Sequence, residues 1–182
     1  MFNEETFEKL DKFAAEANKN AVEHGWWETE RDNRELIALI HSEISEALEE
    51  FRNKQQMAYI KDGKPEGQAV ELIDMVIRIC DFMAHHGMKF GYEERECDLC
   101  TDDELPVLVA KLHSLLGNVM TEGDIDWATG EIQNDHVAAV LTSMVEIAFD
   151  WIEGKKIDPW YLLDNKHYYN KSRPYRHGNK LC

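Results

Sequence analysis

The chain has 182 residues, of which 43% are hydrophobic, and this length and composition suggest one domain with a substantial core. Its formal net charge of −16 argues against general binding to nucleic acid, because the phosphate backbone would be repelled. No apolar run is long enough to span a membrane, and the four cysteines are few. We therefore expect a single cytoplasmic domain over residues 1–182, with no nucleic-acid or membrane partner.

Apolar residues recur at helical spacing in five long segments of the chain. These segments predict helices over residues 4–23, 32–59, 68–86, 103–120 and 135–153. A short further helix is predicted after Asp158-Pro159, and residues 61–67 are predicted to form a loop. The last four long helices can close an antiparallel bundle, with the first as an addition, so the expected fold class is all-α.

Two acid-x-x-acid pairs lie within the second and third predicted helices. Glu43 and Glu46 form the first pair, and Glu71 and Asp74 form the second. Residues three apart share a helix face, so each pair presents two carboxylates side by side. Four facing carboxylates repel one another unless a cation lies between them, and Mg²⁺ and Mn²⁺ prefer oxygen ligands. The two pairs therefore predict a metal site.

The third predicted helix is apolar on most sides, which is typical of a buried helix. Five polar residues nevertheless fall within about 80° of one another on its helical wheel. These residues are Glu71, Asp74, Arg78, Asp81 and His85. Such a stripe faces either solvent through a gap or a polar interior site. Arg78 is interpreted either as a structural ion pair within the stripe or as a contact to a substrate.

The second predicted helix carries Glu43, Glu46 and Glu50 along the edge of its apolar face. A charged carboxylate at such an edge is costly to bury without a partner. Glu50 and Asp81 are expected to be neighbours of the metal, and together with Glu43 and Glu46 they are the candidate catalytic acids. Glu49 lies away from the apolar face and is expected to be only a solvated charge.

Trp26 and Trp27 stand next to each other between the first two predicted helices. One interpretation is a hydrophobic plug over the end of the helices. The other is a stacking surface for a flat ring such as a nucleobase, which makes both residues candidates for substrate binding.

The composition changes after residue 157, where the acidic chain becomes locally basic. Lys166, Asn170 and Arg173 are spaced i, i+4 and i+7 and therefore share a helix face. This basic tail is interpreted either as a segment that docks on the acidic body of its own or a neighbouring subunit, or as a phosphate-binding segment.

Other motifs narrow the chemistry. Cys97 and Cys100 form a lone Cys-x-x-Cys motif, which is a weak signal for zinc because no second pair is present. There is no Gly-rich phosphate loop, and a di-iron carboxylate bundle would need paired Glu-x-x-His motifs that this chain lacks. A non-catalytic helical regulatory protein is the alternative from another class. The residues favour metal-assisted hydrolysis of a phosphate anhydride.

At these residues the chain resembles the all-α nucleoside triphosphate pyrophosphohydrolase superfamily, specifically its MazG-like group. The resemblance rests on Glu-x-x-Glu at residues 43–46, a separation of 24 residues, and Glu-x-x-Asp at residues 71–74. Two further features are Gly25-Trp26-Trp27 and the tail with Lys166, Asn170, Arg173-Pro174 and His177-Gly178. The similarity covers about residues 25–86 and 159–178.

The resemblance implies an all-α core over residues 25–156 and a nucleotide-contacting segment over residues 157–182. It implies cleavage of a (d)NTP between the α and β phosphates to a (d)NMP and pyrophosphate, with Mg²⁺ or Mn²⁺ as cofactor. Its metal ligands correspond to Glu43, Glu46, Glu71 and Asp74, and its phosphate contacts to Lys166, Asn170 and Arg173. Homodimers or homotetramers are implied. Some phage members, which act in the host cytoplasm, prefer purine deoxynucleotides such as dGTP, whereas other members of the superfamily act on dUTP or dCTP.

Overall fold

The computed structural model describes residues 2–91, 103–122, 124–133 and 136–179, except for the side chains of His177 and Asn179. This part of the chain is mostly helical, as the all-α prediction requires. The helices are α1 (Glu4–Glu23), α2 (Asn33–Arg52), α3 (Gln68–His85), α4 (Leu105–Thr121), α5 (His136–Gly154), α6 (Pro159–Lys171) and α7 (Arg176–Asn179). Two short strands, β1 (Tyr59–Lys61) and β2 (Lys64–Glu66), lie between α2 and α3. Within the described ranges, no helix combines the length and hydropathy that crossing a membrane requires.

Side-chain caps fix several helix starts close to their predicted positions. Asn3 Oδ1 accepts from the Thr6 backbone N–H at 2.9 Å, and Asp32 Oδ1 accepts from the Arg34 N–H at 2.8 Å. The Asp158 carboxylate caps α6 in the same way. Such caps satisfy backbone donors that have no partner within the helix. The helix starts predicted from apolar spacing therefore lie close to polar residues that cap the helices.

Helix α3 lies at the centre of the packing and contacts α1, α2, α5 and α6. Most of its residues are buried, which confirms the burial predicted from its apolar composition. Its apolar side chains belong to one hydrophobic cluster that also includes residues of the other long helices. Glu71 and Asp74 are therefore carried by a helix whose position is fixed by dense packing on several sides.

Helix α2 ends at Arg52, so the prediction that it continues to residue 59 was wrong. Lys54 adopts a left-handed conformation with φ of 55°. Its N–H donates to the Phe51 carbonyl at 2.9 Å, and the Gln55 N–H donates to the Glu50 carbonyl at 3.0 Å. This pattern is a Schellman motif, which satisfies the last carbonyls and ends the helix. The end was missed because glycine usually occupies the left-handed position and this chain has lysine there.

Residues 61–67, predicted as a loop, instead contribute to an antiparallel hairpin. Its register pairs Tyr59 with Glu66 and Lys61 with Lys64. Asp62 and Gly63 have φ values of 51° and 81° and form the two-residue turn. An Asp-Gly pair between two strands is typical of such turns. The hairpin leads directly into α3 and so brings strand β2 close to the first turn of the central helix.

Candidate metal and phosphate site

Helices α2 and α3 bring three of the four predicted metal ligands together. One carboxylate oxygen from each of Glu43, Glu46 and Glu71 lies within 4.8 Å of the other two. Glu43 and Glu71 are buried, whereas Glu46 is exposed. These residues and Asp74 line one side of a cleft, which we call the acidic cleft. The two acid-x-x-acid pairs therefore face each other across the contact between α2 and α3.

Two carboxyl groups of the acidic cleft hold their protons more tightly than usual. Burial and, next, repulsion from Asp74 raise the pKa of Glu71 to about 9. Burial also raises the pKa of Glu43, although Arg78 opposes this effect. A carboxyl group that keeps its proton at neutral pH can give up that proton when a divalent cation supplies the positive charge. Because the donors are carboxylate oxygens, the residues fit Mg²⁺ or Mn²⁺.

Asp74 already forms an ion pair with a lysine of the same chain. Lys166 on α6 places its Nζ 2.7 Å from Asp74 Oδ2 and donates to the Pro65 carbonyl at 2.9 Å. Only 1% of the Lys166 side chain is exposed, and Lys166 does not line the acidic cleft. The sequence predicts a metal ligand at Asp74 and a phosphate contact at Lys166. The structure joins these two residues in one buried ion pair.

The environment of Arg78 agrees with both interpretations of the sequence, a structural ion pair and a contact to a substrate. Its Nε lies 2.5 Å from Glu43 Oε1, so it forms an ion pair within the polar stripe of α3. It also lines the acidic cleft, and 37% of its side chain is exposed. One face of the guanidinium group therefore neutralises Glu43 while the rest is accessible to a ligand.

Asn170 and Arg173 reach the acidic cleft from the end of α6 and the segment after it. Within the described ranges, the Arg173 guanidinium has no ion-pair partner, and burial lowers its pKa. Asn170 Oδ1 is buried without a hydrogen-bond partner. Two polar side chains with unused hydrogen-bonding groups therefore face the carboxylates.

The remaining described cations of the basic tail dock on the body of the same chain. Lys171 Nζ lies 3.4 Å from Glu16 Oε2, and Arg176 lies 3.6 Å from Glu28 Oε2. These residues therefore agree with one of the two interpretations of the sequence, in which the tail docks on the body of its own chain. Arg173 differs from them because it lines the acidic cleft.

The two adjacent tryptophans have different environments. Trp27 stacks on His85 with ring centroids 3.5 Å apart, and its Nε1 donates to Asp81 Oδ1 at 2.9 Å. It also packs against the hydrophobic core, as expected of a plug. Trp26 instead lines the acidic cleft. The left-handed Gly25, with φ of 80°, ends α1 in a second Schellman motif and separates the two environments.

The two additional candidate catalytic acids are both engaged by neighbours. Asp81 lines the acidic cleft, and its Oδ1 accepts from Asn18 at 2.8 Å as well as from Trp27. Burial raises the pKa of Asp81. Glu50 accepts a hydrogen bond from the Tyr59 hydroxyl at 3.0 Å and does not line the acidic cleft.

Three further polar residues of the acidic cleft were missed by sequence reasoning, namely Lys64, Asn20 and Arg31, the last of which pairs with Glu35 at 2.5 Å. Lys64 reaches the cleft from the hairpin, and the Asp62-Gly63 turn is the signal that predicts this hairpin. Asn20 reaches it from α1, and its Oδ1 is buried without a hydrogen-bond partner. No sequence pattern distinguishes Asn20 from the other polar residues of α1.

Cys97 and Cys100, which form the weak zinc motif, lie outside the described residues. Comparisons of the chain with protein-family models, with curated proteins and with solved structures found no match.

Proposed function

We propose that the chain is a metal-dependent nucleoside triphosphate pyrophosphohydrolase, which cleaves (d)NTPs between the α and β phosphates to give a (d)NMP and pyrophosphate. The proposal is supported most by one juxtaposition, in which three convergent carboxylates share a cleft with Arg173 and Asn170. Three convergent carboxylate oxygens are suitable ligands for a divalent cation, and the guanidinium and amide suit an anion that such a cation would bring with it.

The carboxylates of Glu43, Glu46 and Glu71 would hold Mg²⁺ or Mn²⁺, and Asp74 would contribute Oδ1 while its Oδ2 stays paired with Lys166. Such an ion, when bound, stabilises charge on the phosphate oxygens and lowers the pKa of a water. Arg173 would bind the phosphates. The oxygen of the attacking water forms a bond to the α phosphorus, the bond to the bridging oxygen breaks, and pyrophosphate leaves with that oxygen.

Among the candidate catalytic acids, Glu46 is the best placed to take the proton of the attacking water. It lines the acidic cleft and is exposed. Glu50 is engaged by Tyr59 outside the cleft, and Asp81 holds Trp27 and Asn18. A general base must reach both water and substrate, which favours the exposed carboxylate of Glu46.

The nucleoside would occupy the part of the acidic cleft lined by Trp26, Ala17, Ala21 and Ile77. These side chains offer an aromatic face and small apolar neighbours, which suit a flat ring. Asn20 supplies a hydrogen-bonding amide in the same part of the cleft. This composition supports a nucleotide rather than an inorganic polyphosphate as the substrate.

A panel of dGTP, dATP, dUTP, dCTP and the ribonucleotides with Mg²⁺ or Mn²⁺ tests the proposal. Pyrophosphate and inorganic phosphate are measured separately, because α–β cleavage releases only the former. We expect pyrophosphate with at least one nucleotide, with a purine deoxynucleotide such as dGTP or dATP preferred over dUTP or dCTP. Release of neither product would support a non-catalytic regulatory role, and inorganic phosphate alone would refute α–β cleavage.

The matched variants Glu46→Gln and Glu49→Gln strengthen the test. Both residues are exposed on α2, but only Glu46 lines the acidic cleft. We expect Glu46→Gln to remove most of the turnover and Glu49→Gln to retain it. Equal activities of the two variants would contradict the role assigned to Glu46.

A further inference from the structure

The β1–β2 hairpin gives the acidic cleft a wall that is separate from the basic tail. Side chains alternate between the two faces of a strand. On β2, Lys64 lines the acidic cleft, and the next residue, Pro65, lines a different groove with Val70 and Leu162. Glu66 returns to the side of Lys64, with its Oε1 2.8 Å from Lys64 Nζ. The hairpin therefore presents one cation at the cleft and holds it with a carboxylate of the same strand.

The position of the hairpin is fixed by contacts to three helices. The Tyr59 hydroxyl donates to Glu50 on α2 at 3.0 Å. Lys166 on α6 donates to the Pro65 carbonyl at 2.9 Å. The Ala69 N–H at the start of α3 donates to the Met57 carbonyl at 2.9 Å. Lys64 therefore extends from a held backbone, and its side chain needs little ordering to meet a ligand.

The Lys64 ammonium group lies among carboxylates. Burial opposes its charged form, but the hydrogen bond to Glu66 and the nearby Glu71 and Asp74 carboxylates raise its pKa. About a third of the side chain, 35%, is exposed, so the group is accessible from solvent. Of these carboxylates, Glu66 is the one in direct contact with the Lys64 ammonium group.

We propose that Lys64 is a phosphate-binding residue whose ammonium group exchanges Glu66 for oxygens of the bound polyphosphate. This inference rests on the proposed function, and it adds a substrate contact from the hairpin to those from the tail. A polyphosphate carries several negative charges against one on Glu66, so the exchange gains electrostatic attraction. Lysine suits this role because it is a compact point charge on a flexible stem.

Titration of inorganic pyrophosphate into the full chain, at a fixed saturating concentration of Mn²⁺, measures this contact by calorimetry. We expect Lys64→Gln to weaken pyrophosphate binding by about tenfold, which is the loss of one charged hydrogen bond. Lys61→Gln is the matched control, because Lys61 pairs with Lys64 across the hairpin but is exposed and does not line the acidic cleft. It should change binding less than about twofold.

Glu66→Gln separates phosphate binding from a purely structural ion pair. It removes the charge of Glu66 from the Lys64–Glu66 pair but leaves the ammonium group, so pyrophosphate binding should be unchanged or tighter. If Glu66→Gln and Lys64→Gln weaken binding equally, the pair is structural and the inference is wrong. Lys64→Arg keeps the charge and should retain most of the affinity, and circular dichroism verifies folding of each variant.

The outcomes distinguish this inference from the proposed function. If the wild-type chain binds pyrophosphate and Lys64→Gln binds it equally well, the proposed role of Lys64 is wrong, even if nucleotides are hydrolysed. Failure of the wild-type chain to bind pyrophosphate with Mn²⁺ overturns it as well. Loss of binding in Lys64→Gln, combined with no hydrolysis of any nucleotide, supports the phosphate contact and refutes the hydrolase.

Discussion

Two groups of side chains in this chain have the same close spacing but different surroundings. The first is the trio of Glu43, Glu46 and Glu71 in the acidic cleft. The second, which we call the α4–α5 group, consists of Glu122, Asp124 and His136. In each group, one possible ligand atom per residue lies within 4.8 Å of the others.

The difference lies in what already compensates the charge. In the α4–α5 group, His136 Nδ1 lies 2.7 Å from Asp124 Oδ2, so the buried carboxylate has an imidazole beside it. In the acidic cleft, burial and the neighbouring Asp74 raise the pKa of Glu71 to about 9. Close spacing of carboxylates is therefore common to both groups. A carboxyl group whose pKa stays raised, with an arginine and an asparagine lining the same cleft, is what favours metal and phosphate chemistry in the first group.

The largest expected effect is the loss of catalysis when a carboxylate of the acidic cleft is neutralised. Glu43→Gln should lower kcat at least about 10²-fold, because it removes a ligand of the divalent cation whose charge stabilises the transition state. Glu122→Gln, in the α4–α5 group, should leave kcat unchanged. Steady-state pyrophosphate release and Mn²⁺ titration measure the two variants, and retained Mn²⁺ affinity in Glu43→Gln would contradict the assignment of this ligand.

A second effect is expected on substrate affinity. Arg173→Ala should raise KM for the triphosphate about tenfold, because it removes a charged hydrogen bond in the cleft, and should change Mn²⁺ affinity little. Lys171→Ala is the control, since Lys171 is exposed and pairs with Glu16 on the surface. If the two variants have the same KM, the tail acts only by docking on the body.

The adjacent tryptophans allow a third test at the nucleoside end of the cleft. Trp26→Ala should weaken nucleotide binding by up to about tenfold through lost stacking, and should leave the affinity for inorganic tripolyphosphate unchanged. Trp27→Phe should instead lower the free energy of unfolding by about 1 kcal/mol, because Asp81 loses a hydrogen bond. Equal losses of affinity for both ligands in Trp26→Ala would exclude a base contact.

A further expected effect is a pH dependence of stability in metal-free protein. The pKa of Glu71 is raised from its ordinary 4.5 to about 9, so between these values the folded state binds more protons than the unfolded state. Stability should therefore fall as pH rises from 7 to 9, by at most about 1.4 kcal/mol per pH unit for this group. Urea unfolding in EDTA measures the slope.

Glu71→Gln should flatten that slope, and so should saturating Mg²⁺, which replaces the proton. Glu122→Gln should not change it, because Glu122 is an exposed carboxylate of the other group. A slope in Glu71→Gln as steep as in the wild-type chain would place the responsible group elsewhere.

Much of the fold could be predicted because local sequence determines it. The apolar periodicity marked the long helices, and the burial of α3 followed from its composition. The end of α2 could not be predicted from glycine, because Lys54 takes the left-handed position. The Asp62-Gly63 pair indicates a hairpin turn, but the hairpin was missed because a helix was predicted up to residue 59.

The carboxylates of the acidic cleft could be predicted from the sequence better than the positions of its cations. Helical spacing is a local property, and it placed Glu43 and Glu71 correctly on facing helices. The burial of Lys166 depends on three elements that are distant in sequence, α3, the hairpin and α6, and no local pattern reports their meeting. The different roles of Trp26 and Trp27 likewise depend on how α1 ends.

The buried Lys166–Asp74 pair also bears on the order in which the polypeptide acquires its structure. All four motif acids are present once residues 1–91 exist, but the ammonium group that neutralises Asp74 comes only with α6. Without α6 the Asp74 carboxylate, 16% exposed even in the folded chain, stays hydrated or takes a proton. We therefore expect the packing of α6 against α3 and the hairpin to complete the acidic cleft late in folding.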